Sequence, residues 1–346
     1  RRAGGGGTRV KLVVVTQQVD PTSPVLGATV AKLRALAARV DELVVLADSA
    51  VDGVLPENCR VALFRASRRA GRGIRFEKAL AVELARGRPA AILAHMCPIY
   101  AVLAAPLARP LGVDVMLWFT HWRRSGVLQA ATRVSTKVLS VDARTFPLRT
   151  MKLVPIGHGI DVADLPCVER PERSPTTLLA LGRTSPAKGL VTIVRAVARV
   201  PDVRLLVHGP SLTDEERTHR MGLERLVLEE HLLDRVDIRG PVPRHGIPAL
   251  YAEVDALVND MREGATDKVV YEAASTCMPV IASNPAFDTL LPDDLRFAHG
   301  DVDGLAAAIR RLAEIDRNEL GRRLRGRVLA DHSVDTWADR VVELAR

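Results

Sequence analysis

Aromatic residues make up only 3% of this 346-residue chain. Its core must therefore be built from Leu, Val, Ala and Ile, and a hydrophobic content of 47% is ample for that. Such a composition suits parallel strands buried on both faces under helices. Long apolar runs are missing as well: none reaches the roughly 18 residues that would suggest a membrane span. Cysteine is scarce. Cys59, Cys97, Cys167 and Cys277 are far apart and form no metal-spaced pair, so they read as reduced core or loop residues of a cytoplasmic protein. No Asp-x-Asp metal motif stands in a suitable place. The chain opens on Arg1, Arg2 and Ala3 followed by four glycines, with no apolar stretch before the first strand. It reads as the flexible tail of a trimmed chain rather than as a signal peptide.

Charge is present but uneven. The formal net charge is +8, yet residues 1–170 carry 25 Lys and Arg against 13 Asp and Glu, while the remainder carries 24 against 28. A basic first half fits an anionic partner there, whether a membrane surface, an acidic acceptor or nucleic acid. Solvated arginines of an Arg-rich proteome explain it equally well. Nucleic acid is the weakest of these partners, because few aromatics are available for base stacking.

What the chain does have is alternation. Residues 10–16 form a continuous apolar strand, as expected where both faces are buried. A helix follows at 27–38, then strands at 43–47 and 61–64, a helix at 79–86, a strand at 91–94, a helix at 100–107 and a strand at 113–119. Strands at 138–141 and 152–156 close the first half. Residues 164–175 are polar, contain three prolines and have a linker composition. The second half restarts with strands at 177–181, 203–208, 236–238, 256–258 and 280–283. Its helices are predicted at 189–199, 214–230, 248–252 and 267–276, with more from 301 through the tail. Alternating strands and helices give parallel sheets with right-handed crossovers. The expected fold class is therefore α/β, with two doubly wound parallel-sheet domains. Ligands of such sheets lie beyond the carboxyl ends of the strands, and two facing domains offer the cleft between them.

Two segments carry chemistry. Gly182, Arg183, Ser185, Pro186, Lys188 and Gly189 follow a strand and lead into a helix. Arg presents a planar fork to two phosphate oxygens and Lys a compact charge, although strand-to-helix turns are often basic without a ligand. Some eighty residues on, Gly264, Ala265, Thr266 and Asp267 precede Lys268 and Glu272 at a helix start. Thr266 or Asp267 suits a helix cap, and an early Glu is explained by the helix dipole alone. Together, however, two cations and a helix N-terminus suit a diphosphate, and a neighbouring carboxylate suits sugar hydroxyls. The set reads as a site for a nucleotide-diphosphate sugar.

Further pieces fall into line: Gly240, residues 247–251, Asp255, then Glu272, Ala273 and Ala274 with Pro279, Val280 and Ile281. With Arg183, Lys188 and Gly189, this pattern resembles the family 4 retaining glycosyltransferases, known as glycosyltransferase group 1, whose GT-B fold has two facing Rossmann-like domains. The resemblance is strong in the second half and weaker in the first. It implies an acceptor-side domain over 8–165, completed by a helix at 332–346 that packs back, and a nucleotide-sugar domain over 175–331. Arg183 and Lys188 would hold the donor diphosphate and Glu272 the ribose. The family's other Glu, which holds the donor sugar, falls at Gly264, so its role passes to the loop of Glu263, Gly264, Ala265, Thr266, Asp267 and Lys268.

In the first half, His121 follows a strand as a catalytic His does in the family, and His95 ends the preceding one. Gly27 stands where the family has a glycine near the donor phosphates. Gly157, His158, Gly159, Ile160 and Asp161 resemble a structural turn ahead of the linker. The basic run Arg65, Arg68, Arg69, Arg72, Arg75 and Lys78 is either a solvated loop or a contact for an anionic acceptor. Arg75 and His95 are the acceptor-side candidates, and peripheral contact with the inner face of a membrane goes with the same run.

The expected activity is transfer of a sugar from a nucleotide diphosphate donor to an acceptor hydroxyl, with retention and without a metal or other cofactor. Two alternatives stay open: an epimerase or hydrolase on the same architecture, and a non-catalytic nucleotide-sugar binder, suggested by Gly264.

Overall fold

The computed structural model describes residues 10–23, 26–264 and 266–346. The glycine-rich start and Ala265 lie outside them. The chain divides into two compact units, one reaching to Asp161 and including Ser333–Arg346, the other Val162–His332.

The first unit runs β1 (Lys11–Val19), α1 (Ala28–Ala37), β2 (Glu42–Ala50), β3 (Cys59–Leu63), α2 (Arg69–Arg86), β4 (Ala91–His95), α3 (Pro98–Ala108), β5 (Asp114–Trp118), α4 (Gly126–Val134), β6 (Lys137–Ser140) and β7 (Leu153–Pro155). Its seven parallel strands lie in the order β3-β2-β1-β4-β5-β6-β7. Val13 of β1 is level with Val44 on one side and Ile92 on the other, and all three are fully buried. That is why these strands show no alternation in sequence.

The second unit runs β8 (Thr176–Leu181), α5 (Leu190–Ala198), β9 (Val203–His208), α6 (Asp214–Glu229), β10 (Val236–Arg239), α7 (Ile247–Glu253), β11 (Ala256–Asn259), α8 (Lys268–Ser275), β12 (Val280–Ala282), α9 (Val302–Arg311) and α10 (Arg317–Asp331). The sheet order is β10-β9-β8-β11-β12, again all parallel. Both sheets are therefore doubly wound, as the alternation predicts.

A last helix, α11 (Val334–Ala345), belongs to the first unit and lies against α1. Ser333 caps it, its Oγ accepting from Thr336 N–H at 3.1 Å. Trp337 is fully buried, edge-on to Trp118 at 5.6 Å, and Lys32 Nζ lies 5.2 Å from its ring centre. The turn before the second unit comes close to this cluster. Gly159 has φ +74°, and a Cβ there would lie 2.6 Å from Lys32 Cε and 3.1 Å from Trp337 Cγ. Only glycine fits both the left-handed backbone and the space.

Three expectations need correction. The basic run is no loop: Arg69, Arg72, Arg75 and Lys78 are on α2, which begins ten residues before the predicted helix. Gly71 and Gly73 mask it in sequence, while Phe76, Leu80 and Glu83 bury one face, with Phe76 against Phe64 and Tyr100. Helix α4 was not anticipated, although Ser125 caps it and Leu128, Ala131 and Thr132 form its buried stripe.

The third correction concerns residues 164–175, which are strapped onto the second unit rather than spanning free. Arg170 is buried and donates to the carbonyls of Val168, Val254, Thr276 and Tyr251 at 2.8–3.1 Å. Burial pushes its guanidinium down to about 10. Cys167 in the same segment is disulfide-bonded to Cys277, with the Cα atoms 4.9 Å apart. The reading of four reduced thiols, and the compartment inferred from them, loses its support. A separation of 110 residues hides the pair from any spacing rule.

Unfolding the protein without reductant should expose two reactive thiols, Cys59 and Cys97, and unfolding with reductant four. Denaturing titration with a thiol reagent checks this, and four thiols without reductant would exclude the bond.

Candidate functional site

In the second unit strand order reverses between β8 and β11, and the groups of interest cluster at the carboxyl ends of these two strands. β8 leads through Gly182 (φ +137°), Arg183 and Thr184 into a tight turn at Pro186–Lys188, then Gly189 (φ +57°) and α5. Lys188 thus precedes the helix. A Cβ on Gly189 would collide with the Asp260 carboxylate at the end of β11, so glycine is required there on two counts. Asp260 is fully buried. Its Oδ1 meets His299 Nδ1 at 2.7 Å and accepts from Gly300 N–H at 3.3 Å.

The two expected cations are present but not bare. Arg183 Nε lies 3.1 Å from Glu216 Oε1, on a residue that is itself buried at the start of α6. The Arg183 side chain remains half exposed. Lys188 folds over Gly182 and pairs with Asp267, whose Oδ2 also accepts from Asn259 Nδ2 at 2.9 Å. Asp267 occupies the cap position of α8, yet its side chain makes no capping bond. The cap role expected for it gives way to the ion pair, because one carboxylate oxygen is taken up by a lysine and an amide instead.

Glu272 is one turn further on, buried, with Oε1 3.0 Å from Lys268 Nζ and 3.7 Å from Arg244 Nη1. Tyr251 is buried nearby and its hydroxyl has no hydrogen-bond partner. Burial, then the charges of Glu272 and Asp267, hold this phenol well above its ordinary value, so it stays a neutral donor. In the preceding loop Glu263 is exposed, Thr266 Oγ1 is buried without a partner, and Gly264 has φ +102°. Any side chain at 264, including the Glu of the resembled family, would strain that backbone. The space enclosed between the ends of β8 and β11, beside Gly182, Arg183 and Lys188, is only about 10 Å³.

The structure thus brings Arg183, Lys188, Asp267, Lys268 and Glu272 to one end of one sheet. Glu216, Arg244, Tyr251, Asn259, Asp260 and His299 join them without having been singled out as site residues. Their spacing from the motifs carries no local signal, although Tyr251 stood in a matched segment.

The first-half candidates separate. Gly27 begins α1, where a Cβ would lie 2.7 Å from Ser23 O and 2.8 Å from Pro21 O. The close approach it permits is to its own loop. His121 is exposed, stacks on Trp122 and accepts from Arg123 N–H through Nδ1 at 3.0 Å. Burial, then the Arg123 charge, pull it below the ordinary imidazole value. It lines a pocket of about 670 Å³ in the first unit, which neither His95 nor Arg75 lines. Arg75 is exposed on α2 and donates to the carbonyl of Arg65. His95 is buried between Trp118 and Trp337, with neither ring nitrogen bonded.

Residues 175–314 match the family described as Glycosyl transferases group 1. The group 1 resemblance drawn from the motifs is borne out there, and the match supports sugar transfer as the general activity. Solved structures extend the likeness in fold over nearly the whole chain. Sucrose-phosphate synthase of Thermosynechococcus elongatus covers 97% of this chain and 98% of its own at 20% identity, with a TM-score of 0.72. A glycosyltransferase from Rickettsia africae covers 98% of both at 14% identity, with a TM-score of 0.75. HepE of Anabaena, solved with UDP-glucose, covers 97% and 99% at 16% identity, with a TM-score of 0.72. At these identities the likeness establishes the fold, which is GT-B as expected. No curated protein matches in sequence. Among the described residues no helix is long and apolar enough to cross a membrane.

The buried His95 yields a pH prediction. Burial, then the Lys32 charge, hold its imidazole well below the ordinary value, so the native state keeps it neutral. Below about pH 6.5 the unfolded chain binds a proton that the native state refuses. Stability should therefore fall as pH drops below that point, by up to about 1.4 kcal/mol per pH unit from this group. Denaturant unfolding between pH 7 and 5 should show a shallower pH slope in His95→Phe than in the wild type. Equal slopes would mean that His95 titrates alike in both states.

Proposed function

We propose that this protein is a retaining glycosyltransferase of family 4 that moves a sugar from a nucleotide diphosphate donor to an acceptor hydroxyl. The observation that carries the reading is the convergence of Arg183, Lys188 and Glu272 on the carboxyl end of one sheet, inside the segment that matches group 1. HepE, similar in fold, was solved with UDP-glucose. In this reading the second unit takes the donor.

The reaction breaks the bond between the anomeric carbon and the diphosphate oxygen and forms one to the acceptor oxygen on the same face. Negative charge builds on the departing diphosphate, and Arg183 and Lys188 stabilise it electrostatically. The acceptor's proton passes to that diphosphate. The α8 N-terminus adds partial positive charge that Asp267 does not consume by capping. These groups supply the charge that a metal would otherwise supply, and the reading assigns none. Glu272 accepts hydrogen bonds from the ribose, and the loop of Glu263, Gly264 and Thr266 meets the donor sugar. His121, in the first unit, is the further residue that this reading assigns to catalysis.

Arg183→Ala and Lys188→Ala should each weaken donor binding and turnover about tenfold or more, since a charge-assisted contact is worth roughly 1.5–3 kcal/mol. Steady-state kinetics and calorimetry over UDP and GDP sugars check this. Unchanged constants in both folded variants would place the diphosphate elsewhere. Release of free sugar at the full rate without an acceptor would instead identify a hydrolase.

Glu272→Gln should weaken the bare nucleotide and the sugar nucleotide alike, because the ribose is common to both. Glu263→Ala should spare the nucleotide and reduce transfer or shift the sugar accepted. Paired titrations measure the division, and equal losses for both ligands in the Glu263 variant would refute it.

A further inference from the structure

A second space lies away from the cluster at the ends of β8 and β11. It is the pocket of about 670 Å³ in the first unit, within the roughly 300–1,000 Å³ of small-molecule sites. It opens at the carboxyl ends of β1, β2, β4 and β5, across the point where strand order reverses between β1 and β4. Its floor is apolar, with Cys97, Tyr100, Leu103 and Phe119.

Its charged groups are three arginines and one carboxylate, with Gln17, His121 and Ser125 as further polar lining. Arg69 and Arg72 come from the first turn of α2 and Arg123 from the loop after β5. Arg72 Nη1 lies 3.5 Å from Asp48 Oδ2. The guanidinium groups of Arg69 and Arg123 have no hydrogen bond or ion pair among the described residues. Three arginines thus face one carboxylate, and two of them are uncommitted. The other Asp48 oxygen, Oδ1, is buried and unpartnered, free to accept from hydroxyls. His121, with Nδ1 accepting and a lowered pKa, is a neutral ring at pH 7 that carries its proton on Nε2. The backbone beneath is held under strain: Met96, at the end of β4, has φ +58°, fixed by its N–H on Trp118 O at 2.8 Å. A non-glycine residue in that region costs free energy that a working pocket commonly retains.

We infer that this pocket binds a phosphate monoester of a sugar or polyol, with Arg69 and Arg123 on the phosphate and Asp48 on the hydroxyls. Arginine forks match phosphate oxygens, and a carboxylate oxygen without a donor matches a hydroxyl. The ligand is the acceptor if the donor reading above is right; the binding claim itself rests on the pocket alone. The same chemistry is offered by a soluble sugar phosphate and by the ring-phosphorylated inositol headgroup of a phosphoinositide lipid.

The test is calorimetry on the full chain with inorganic phosphate, glycerol 3-phosphate, a hexose 6-phosphate, and the unphosphorylated glycerol and hexose. A phosphorylated polyol should bind at least about tenfold more tightly than both inorganic phosphate and its unphosphorylated counterpart. Arg69→Glu and Arg123→Glu, both at exposed positions, should each lower that affinity at least about tenfold while leaving UDP and GDP titrations unchanged. Co-sedimentation with vesicles containing phosphatidylinositol 4-phosphate distinguishes the source: vesicle binding lost in the same variants assigns the headgroup, and absent vesicle binding assigns the soluble ester. Equal affinity for phosphorylated and unphosphorylated ligands, or ester or vesicle binding untouched by the variants, would overturn the inference. Failure of the nucleotide titrations alone would strike the donor reading and leave this one standing.

Discussion

Burial of both faces of each parallel sheet is the constraint on which the rest of the protein depends. Strands such as β1 and β4 have helices on either side, so a polar group in their middle would have no partner. Chemistry is pushed to the strand ends, and the reversal of strand order separates neighbouring crossovers there. Each unit uses that gap differently. Beyond β8 and β11 the gap is nearly filled, by Lys188 folding over Gly182 and by Asp260 against Gly189. Beyond β1 and β4 it is open and rimmed with arginines.

Arg183 and Lys188, the cations of the proposed donor site, are each already paired. Glu216 steadies Arg183 and Asp267 steadies Lys188, and both carboxylates are more buried than the cations they hold. In the proposed reading, an incoming diphosphate would meet side chains whose rotamer freedom is already reduced. It would also share these cations with the carboxylates, so the gain per contact would be smaller than for a bare arginine. Gly264 belongs to the same economy of space: at φ +102° the loop turns where a side chain could not follow, and it leaves Thr266 Oγ1 without a partner.

Much of this was legible in the sequence, and the reason is local. Strands buried on both faces leave unbroken apolar runs, which set the two sheets. The Arg183 and Lys188 turn and the Glu272 helix are short motifs whose spacing is fixed by one strand-to-helix junction each. What escaped reading is non-local. Cys167 meets Cys277 only through folding, and Arg170 finds four carbonyls contributed by three segments. Helix α2 was cut short because Gly71 and Gly73 lower local propensity, which packing of Phe76 and Leu80 overrides. Asp267 looked like a cap because it stands where caps stand, and only the arrival of Lys188 from 79 residues away redirects it. His95 reads as a site residue by position, and its burial between two tryptophans is invisible until α11 is placed.

The placement of α11 bears on how the molecule is made. The second unit is inserted between β7 and α11, which belong to one compact unit. During synthesis the whole of Val162–His332 leaves the ribosome, and can fold, while the first sheet still lacks the helix that covers Trp118, His95 and Lys32. Until Trp337 emerges, that indole face and the lysine amine beside it stand uncovered in the nascent chain. Of the two units, the one that begins first is thus the one completed last, and the interval is set by the elongation time of some 170 residues, on the order of ten to thirty seconds at about 5–20 residues per second.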